Sequence, residues 1–112
     1  MDSSAPAATV VEIRTTFPGR DAAEACVRRV VAARLAACGQ IDGPVGSIYR
    51  WRGAVEAAEE WRCTFKTTPE RAAACAAAIV AAHPYELPEV LLAAVTAAEP
   101  YAAWVRQEVA AP

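Results

Sequence analysis

Residues 47–66 read SIYRWRGAVEAAEEWRCTFK, and the rest of the fold can be inferred outward from this segment. Arg52-Gly53 in its middle is a typical two-residue turn between strands, so the stretch predicts a β-hairpin. In the returning strand, residues 54–66, polar and apolar side chains alternate toward the end, which indicates a strand with one buried face. The apolar side chains of that face are Trp61, Cys63 and Phe65.

One strand and one helix are predicted before the hairpin. Residues 9–15 are rich in β-forming residues and alternate in polarity, which predicts a strand. Asp21 followed by Glu24 has the form of a capping box, so a helix is predicted from Asp21 to about Ala36. Asp42-Gly43-Pro44 then predicts a turn or bulge on the way into the hairpin.

Two helices and one strand are predicted after the hairpin. Thr68-Pro69-Glu70 places an N-cap, a proline and an acid at the start of a helix, which would end at His83-Pro84. Residues 90–96 are apolar almost throughout and predict a well-covered strand, and Glu99-Pro100 begins a C-terminal helix. The order β-α-β-β-α-β-α predicts an α+β fold, namely a ferredoxin-like βαββαβ sandwich with an added C-terminal helix.

Length and charge restrict the domain organisation and the partners. A chain of 112 residues is long enough for one domain, predicted here over residues 9–112, with residues 1–8 as a disordered tail. The net charge of −2 argues against a protein that binds nucleic acid by neutralising phosphates. The start of the chain lacks a signal-peptide pattern, and the longest apolar run, residues 72–82, is too short to insert into a membrane. We therefore expect a cytoplasmic protein.

Four cysteines are widely separated and include no C-x-x-C pair, which is not a zinc-finger or thioredoxin-like spacing. In a reducing compartment they are predicted to be free thiols rather than two disulfides. Cys26, Cys63 and Cys75 fall on apolar faces and are predicted in the core. Cys38 lies at a strand entry, where it is either a small buried side chain or a thiol ligand.

Five segments, in order along residues 9–109, resemble the CutA divalent-cation tolerance family. They are LAAC at 35–38, SIYRWRG at 47–53, KTT at 66–68, HPYELPE at 83–89 and YAAW at 101–104. The resemblance implies a cytoplasmic homotrimer of ferredoxin-like subunits, similar in architecture to the PII signalling proteins. It also implies a role in tolerance of copper and other divalent metals, with no established enzymatic reaction.

The resemblance also implies copper or another divalent cation as a ligand, and His83 and Cys38 are the candidate metal ligands. His83 is the only histidine, so a metal site needs further ligands from this chain or a neighbouring subunit, such as Glu60 or Glu89. Some relatives carry a cysteine and a second histidine credited with copper binding, where this chain has Thr15 and Ala82. The alternative role for His83 is to cap the end of the second helix.

Aromatic and charged residues of the hairpin and of the segment after the second helix indicate an interface or a ligand cleft. A long hairpin that reaches beyond its domain must cover its apolar face, which favours trimerisation through this hairpin. The second hypothesis is a PII-like regulatory trimer that binds a small metabolite, such as a small anion, or a protein partner between subunits. The residues of that candidate cleft are Tyr49, Trp51, Glu60, Lys66, Tyr85 and Glu89.

Motifs for catalysis and for nucleotide binding are missing from the sequence. Neither G-x-G-x-x-G nor G-x-x-x-x-G-K occurs, so a nucleotide site of standard type is unsupported. A hydrolase would have only His83 as a base, and no motif surrounds a Cys38–His83 pair. The sequence therefore predicts a non-enzymatic protein whose main partner is a second copy of itself.

Overall fold

The computed structural model describes residues 8–110. The predicted tail over residues 1–8 lies outside the described residues except for Ala8, which is the first residue of a strand. The elements in chain order are β1 (Ala8–Phe17), α1 (Arg20–Ala32), β2 (Cys38–Trp51), β3 (Ala54–Thr67), α2 (Pro69–Ala82), β4 (Leu91–Ala97) and α3 (Glu99–Val109). The predicted order of elements is confirmed.

The strands form one antiparallel sheet in the order β2-β3-β1-β4. This is the ferredoxin-like arrangement, so the predicted α+β fold class is confirmed. β1 lies in the middle, with Ile13 opposite Phe65 on β3 and opposite Leu92 on β4. Among the described residues, no helix is both long and apolar enough to cross a membrane.

Two clusters of buried side chains hold helices on opposite faces of the sheet. On one face α1 and α2 pack against alternate residues of β1 and β3, with Ile13, Cys63 and Phe65 all fully buried. On the other face α3 places Val105 and Val109 against Val10 of β1. Because successive side chains of β1 point to opposite faces of the sheet, β1 contributes to both buried clusters.

The ends of α1 differ from the prediction. Gly19 is the N-cap and no side chain caps the helix, so the predicted capping box of Asp21 and Glu24 is wrong. The helix ends at Ala32 rather than near Ala36, because Arg34 adopts a positive φ of 60°. The amide N–H of Arg34 donates to Val31 O (3.0 Å) and that of Leu35 to Val30 O (3.1 Å), which are the two bonds of a Schellman motif.

The bounds of α2 agree with its capping signals. Oγ1 of Thr68 accepts a hydrogen bond from the backbone N–H of Arg71 at 3.3 Å, and Pro69 is the first helical residue. His83 is the C-cap with extended backbone, as the following Pro84 requires.

The β2–β3 hairpin extends well beyond the rest of the domain. Its turn is the predicted Arg52-Gly53, with positive φ at both residues, 51° and 82°. The predicted irregularity is a bulge between Asp42 and Val45, which includes a cis peptide bond before Pro44. Residues 45–60, which we call the arm, are mostly exposed, and the molecule measures 54 × 33 × 21 Å.

The prediction of a well-covered last strand is wrong for the single chain. β4 is an edge strand that pairs with β1 alone among the described strands. Its first residues, Leu91 and Leu92, are 53% and 51% exposed. The apolar composition of residues 90–96 predicted a well-covered strand, but no other strand within residues 8–110 lies beside its outer edge.

Candidate functional site

A cleft of about 720 Å³ lies between the arm and the loop of residues 83–90. The arm reaches over this loop because the β2–β3 strands continue past the domain, whereas Pro84 ends α2 and turns the chain under them. The side chains that line the cleft come from the two segments together with Thr16 at the end of β1. The lining residues with aromatic or acidic side chains are Tyr49, Trp51, Glu60, Tyr85, Glu86 and Glu89.

Five of the six residues predicted for a cleft are therefore brought together, and Lys66 is not. Lys66 lies at the base of the hairpin, opposite Cys38 on β2 and Glu12 on β1. Its Nζ donates to Oε1 of Gln40 at 2.8 Å. The cleft thus lacks the lysine that the sequence placed in it.

A hydrogen bond ties the loop to the arm across the cleft. The Tyr85 hydroxyl donates to Oε2 of Glu60 at 2.8 Å. Burial raises the pKa of Tyr85, and the Glu60 carboxylate raises it further, since both oppose a phenolate there. Tyr85 is therefore a protonated donor at neutral pH, and its hydroxyl holds the Glu60 carboxylate in the cleft.

A second link connects the same two segments near the hairpin turn. Nη2 of Arg52 lies 2.9 Å from Oε1 of Glu86, and the Arg52 guanidinium also lies 5.3 Å from the centre of the Trp51 ring. Both charged side chains are largely exposed, so this ion pair contributes little to stability. Its effect is to hold Trp51 on the arm and Glu86 on the loop in place on the two walls of the cleft.

His83 lies behind the cleft with both ring nitrogens in contact with the protein. Nε2 is 3.0 Å from Oγ1 of Thr15, and Nδ1 accepts a hydrogen bond from the backbone N–H of Tyr85 at 3.2 Å. The ring is stacked on Phe17, with centroids 4.4 Å apart and planes 13° from parallel. Burial lowers the pKa of His83, so the neutral imidazole is favoured.

His83 and Cys38, the candidate metal ligands, are not brought to one site. Sγ of Cys38 lies 3.7 Å from the Tyr101 hydroxyl on α3, whereas His83 contacts Thr15 and Phe17 at the other end of β1. Within residues 8–110, no group of three or more His, Cys, Asp or Glu side chains is placed to hold a metal ion. The described residues of one chain therefore do not fit the metal site considered from the sequence.

The cysteines are free thiols, and three of them are core residues, as predicted. Cys26, Cys63 and Cys75 are buried, and Cys38 is partly exposed. Burial raises the pKa of the Cys63 and Cys75 thiols to about 12, so neither is a thiolate at neutral pH. These three thiols act as small apolar side chains.

Several lining residues were missed by sequence reasoning. Glu86 and Leu87 lie in the HPYELPE segment, and Ser47 and Ile48 lie in the SIYRWRG segment. Their position within those two segments was the available signal. Thr16 had no such signal, because only the placement of the loop beside the end of β1 brings it to the cleft.

Comparison with protein families gives one match that covers most of the chain. The family model described as "CutA1 divalent ion tolerance protein" matches residues 11–108. Among curated proteins, the chain is 37% identical over 93 residues to "Protein CutA" of Homo sapiens, which covers 82% of this chain and 52% of that protein. It is 30% identical over 106 residues to "Divalent-cation tolerance protein CutA" of an Escherichia coli strain, which covers 94% of this chain and 95% of that protein.

The chain thus spans about half the length of the human and mouse relatives and nearly the whole bacterial one. Among solved structures, CutA from Xylella fastidiosa is 34% identical with a TM-score of 0.87, covering 90% of this chain and 98% of that one. CutA from Synechococcus elongatus is 35% identical with a TM-score of 0.86, covering 92% of each chain. A protein from Archaeoglobus fulgidus, described as a periplasmic divalent cation tolerance protein, is 28% identical with a TM-score of 0.86, covering 90% of this chain and 99% of that one.

Proposed function

The chain belongs to the CutA1 divalent ion tolerance family, and on that basis we propose that it acts, without enzymatic activity, in tolerance of copper and other divalent cations. The observation that carries this proposal is the family match over residues 11–108, which runs from β1 into α3 and includes both walls of the cleft. The relative of the same length in Escherichia coli is named for divalent-cation tolerance.

We propose further that the working form is a homotrimer. Two exposed apolar surfaces support it: the arm, where Ile48 is 80% and Val55 is 64% exposed, and the edge strand β4 with Leu91 and Leu92. A two-stranded ribbon that leaves its domain is marginal in water and needs cover, and an open apolar edge strand needs a neighbour. Contacts between different surfaces on successive copies close into a ring, which three copies would complete here.

The cytoplasm is the proposed location. The four free cysteines support it, since thiols persist in reducing compartments. Because one relative is described as periplasmic, fractionation of the producing cells is the direct test. Recovery in the periplasmic fraction would contradict this location.

Growth under metal stress tests the tolerance function. The experiment uses a strain whose own copy of the gene is deleted, grown over concentration series of copper(II) and zinc, with peroxide as a stress without metal. We expect the chain to restore growth in the metal series and to leave the peroxide series unchanged. Growth equal to that of the empty vector in both metal series would overturn the proposal.

The cleft supports a second candidate, a PII-like module that binds a small metabolite. The lining contains three carboxylates, Glu60, Glu86 and Glu89, against one arginine, Arg50. Together with three aromatic rings, this charge suits a metabolite with a cationic amine better than the small anion considered from the sequence.

Thermal unfolding of chelator-treated protein tests this candidate. A ligand that binds only the folded protein raises the melting temperature. We expect aliphatic and aromatic amines at millimolar concentration to raise it and nucleotides to leave it unchanged, with Tyr49→Ala abolishing the rise. If neither class raises the melting temperature, or if Tyr49→Ala responds like the unmodified protein, this candidate fails.

A further inference from the structure

His83 stands where α2 ends and the loop of residues 83–90 begins, and three kinds of contact fix its ring. Its Nε2 meets the Thr15 hydroxyl, its Nδ1 meets the backbone of Tyr85, and its face lies on Phe17. Thr15 and Phe17 are both essentially fully buried on β1, so the ring is held against a rigid strand. On its other side the ring contacts the loop through the backbone of Tyr85.

The two hydrogen bonds determine which nitrogen carries the ring proton. A backbone N–H can only donate, so Nδ1 of His83, 3.2 Å from the nitrogen of Tyr85, must be the unprotonated acceptor. The neutral ring then carries its proton on Nε2, which donates to Oγ1 of Thr15 at 3.0 Å. In a doubly protonated ring, two N–H groups would face each other at Nδ1, and the bond to Tyr85 would be lost.

This arrangement leaves the ring with no free lone pair for a cation, because the lone pair of Nδ1 already accepts the hydrogen bond from Tyr85. A metal at Nδ1 would have to replace the hydrogen bond from Tyr85, and a metal at Nε2 would have to replace both the proton and Thr15. The acid whose charge acts on the ring is Glu60, and its carboxylate is engaged by the Tyr85 hydroxyl. Any ion that displaced these contacts would therefore release the loop.

We propose that His83 is a positioning residue of the cleft and not a ligand of a divalent cation. A chain of contacts runs from Thr15 through His83 to the backbone of Tyr85, and from the Tyr85 hydroxyl to Glu60 on the arm. His83 thus connects the centre of the sheet to both walls of the cleft. The inference goes beyond the proposed function and does not depend on it, because the anchor holds whether the cleft meets a metabolite or another subunit.

The nitrogen spectrum of the ring tests the proposal directly. Since His83 is the only histidine, a long-range ¹H–¹⁵N spectrum of the full chain contains one imidazole and needs no assignment. We expect an unprotonated Nδ1 and a protonated Nε2 at pH 7.5, unchanged by an excess of Zn²⁺. A protonated Nδ1, or ring resonances that move with stoichiometric Zn²⁺, would overturn the proposal.

Two variants separate positioning from packing. His83→Asn keeps a side-chain acceptor that can reach the backbone N–H two residues ahead, and His83→Phe keeps the ring on Phe17 without any nitrogen. We expect the Tyr85 amide to exchange with deuterium about tenfold faster in His83→Phe and at nearly the original rate in His83→Asn. In His83→Phe the Tyr85 phenol pKa should also fall toward its ordinary value, as the loop leaves Glu60.

Equal exchange rates in His83→Phe and the unmodified protein would contradict the proposal, because the ring face alone would then hold the loop. Circular dichroism and the melting temperature show whether each variant is folded. If His83→Phe does not fold, the nitrogen spectrum of the unmodified protein decides the matter by itself.

Discussion

Thr15 shows how one side chain determines the role of another. It is fully buried at the sheet centre, and its hydroxyl accepts the only hydrogen bond that the Nε2–H of His83 makes to a side chain in the described structure. The loss of such a hydrogen bond costs about 0.5–1.5 kcal/mol. With threonine at this position, the histidine is held as a structural group.

Replacing this hydroxyl should therefore destabilise the protein. We expect Thr15→Val to lower the free energy of unfolding by about 0.5–1.5 kcal/mol, since valine has nearly the same shape but cannot accept the hydrogen bond from Nε2–H. Urea unfolding at fixed protein concentration measures the change, and Thr15→Ser, which keeps the hydroxyl, is the matched control. Equal stability of Thr15→Val and the unmodified protein would show that the bond is not made.

Stability should also depend on pH through His83. Burial lowers its pKa in the folded protein below the ordinary 6.5, so the unfolded chain takes up the proton first. The stabilisation is then complete above pH 6.5 and decreases as the pH falls through the folded pKa below that value.

Melting temperatures measured from pH 8 to pH 5 test this dependence. We expect the unmodified protein to lose stability over that range and His83→Asn to lose less, because its side chain does not titrate. The same slope in both proteins would assign the effect to carboxylates instead.

Apart from Glu60, the cleft residues that were predicted correctly belong to the quoted segments. Tyr49, Trp51 and Tyr85 belong to the quoted segments, and the structure places them together. Lys66 lies on the same face of β3 as Glu60, but six residues further along, which is about 20 Å at the rise of a strand. Alternation identifies the face of a strand but not the distance along it, so the sequence could not exclude Lys66.

At the scale of single elements, the termini were harder to predict than the existence of a helix. α2 was predicted correctly because its caps are of standard type, with Thr68 before Pro69 and a proline after His83. α1 ends in a Schellman motif whose left-handed residue is Arg34 rather than the usual glycine. No residue type in the sequence marked that position as the end of the helix.

This position offers a direct prediction for stability. A non-glycine residue in the left-handed region costs roughly 1 kcal/mol, so Arg34→Gly should raise the free energy of unfolding by about 0.5–1 kcal/mol. The substitution also removes an exposed hydrogen bond from Arg34 to the carbonyl of Glu108. Arg34→Ala removes that bond but keeps the strain, so chemical denaturation of both variants separates the two effects. A less stable Arg34→Gly would show that the Glu108 contact outweighs the strain.

The exposure of β4 was also not predicted, but its cause differs from that of the early end of α1. Its apolar sequence correctly predicted a strand, but cover on its outer edge depends on what lies beyond the subunit. Leu91 and Leu92 are about half exposed in the single chain, like Ile48 and Val55 on the arm. A sequence pattern records that a residue is apolar and does not record whether its cover comes from the same chain.

For the whole molecule, the arm provides the sharpest test of assembly. We expect Ile48→Lys to shift a trimer toward monomers, because the charge would be placed in the proposed contact between copies. Val80 on α2 is also exposed, at 51%, but lies away from the arm, so Val80→Lys is the matched control and should remain trimeric. Sedimentation velocity at micromolar concentration measures both.

Two results would contradict the proposed assembly. One is an unmodified protein that sediments as a monomer at micromolar concentration. The other is an Ile48→Lys variant that sediments like the Val80→Lys control, which would mean that the arm is not part of the contact.

The central place of β1 has a consequence for biosynthesis. β1, which precedes the other described strands in the chain, pairs with β3, whose partner residues are Trp61–Thr67, and with β4, whose partner residues are 91–97. Its outer face is then covered by α3, the last of the described elements. Because β1 has no neighbouring strand until β3 has been made, the nascent protein keeps an apolar segment unpaired while α1 and β2 are synthesised. Folding of this domain is therefore completed only when α3 has emerged from the exit tunnel.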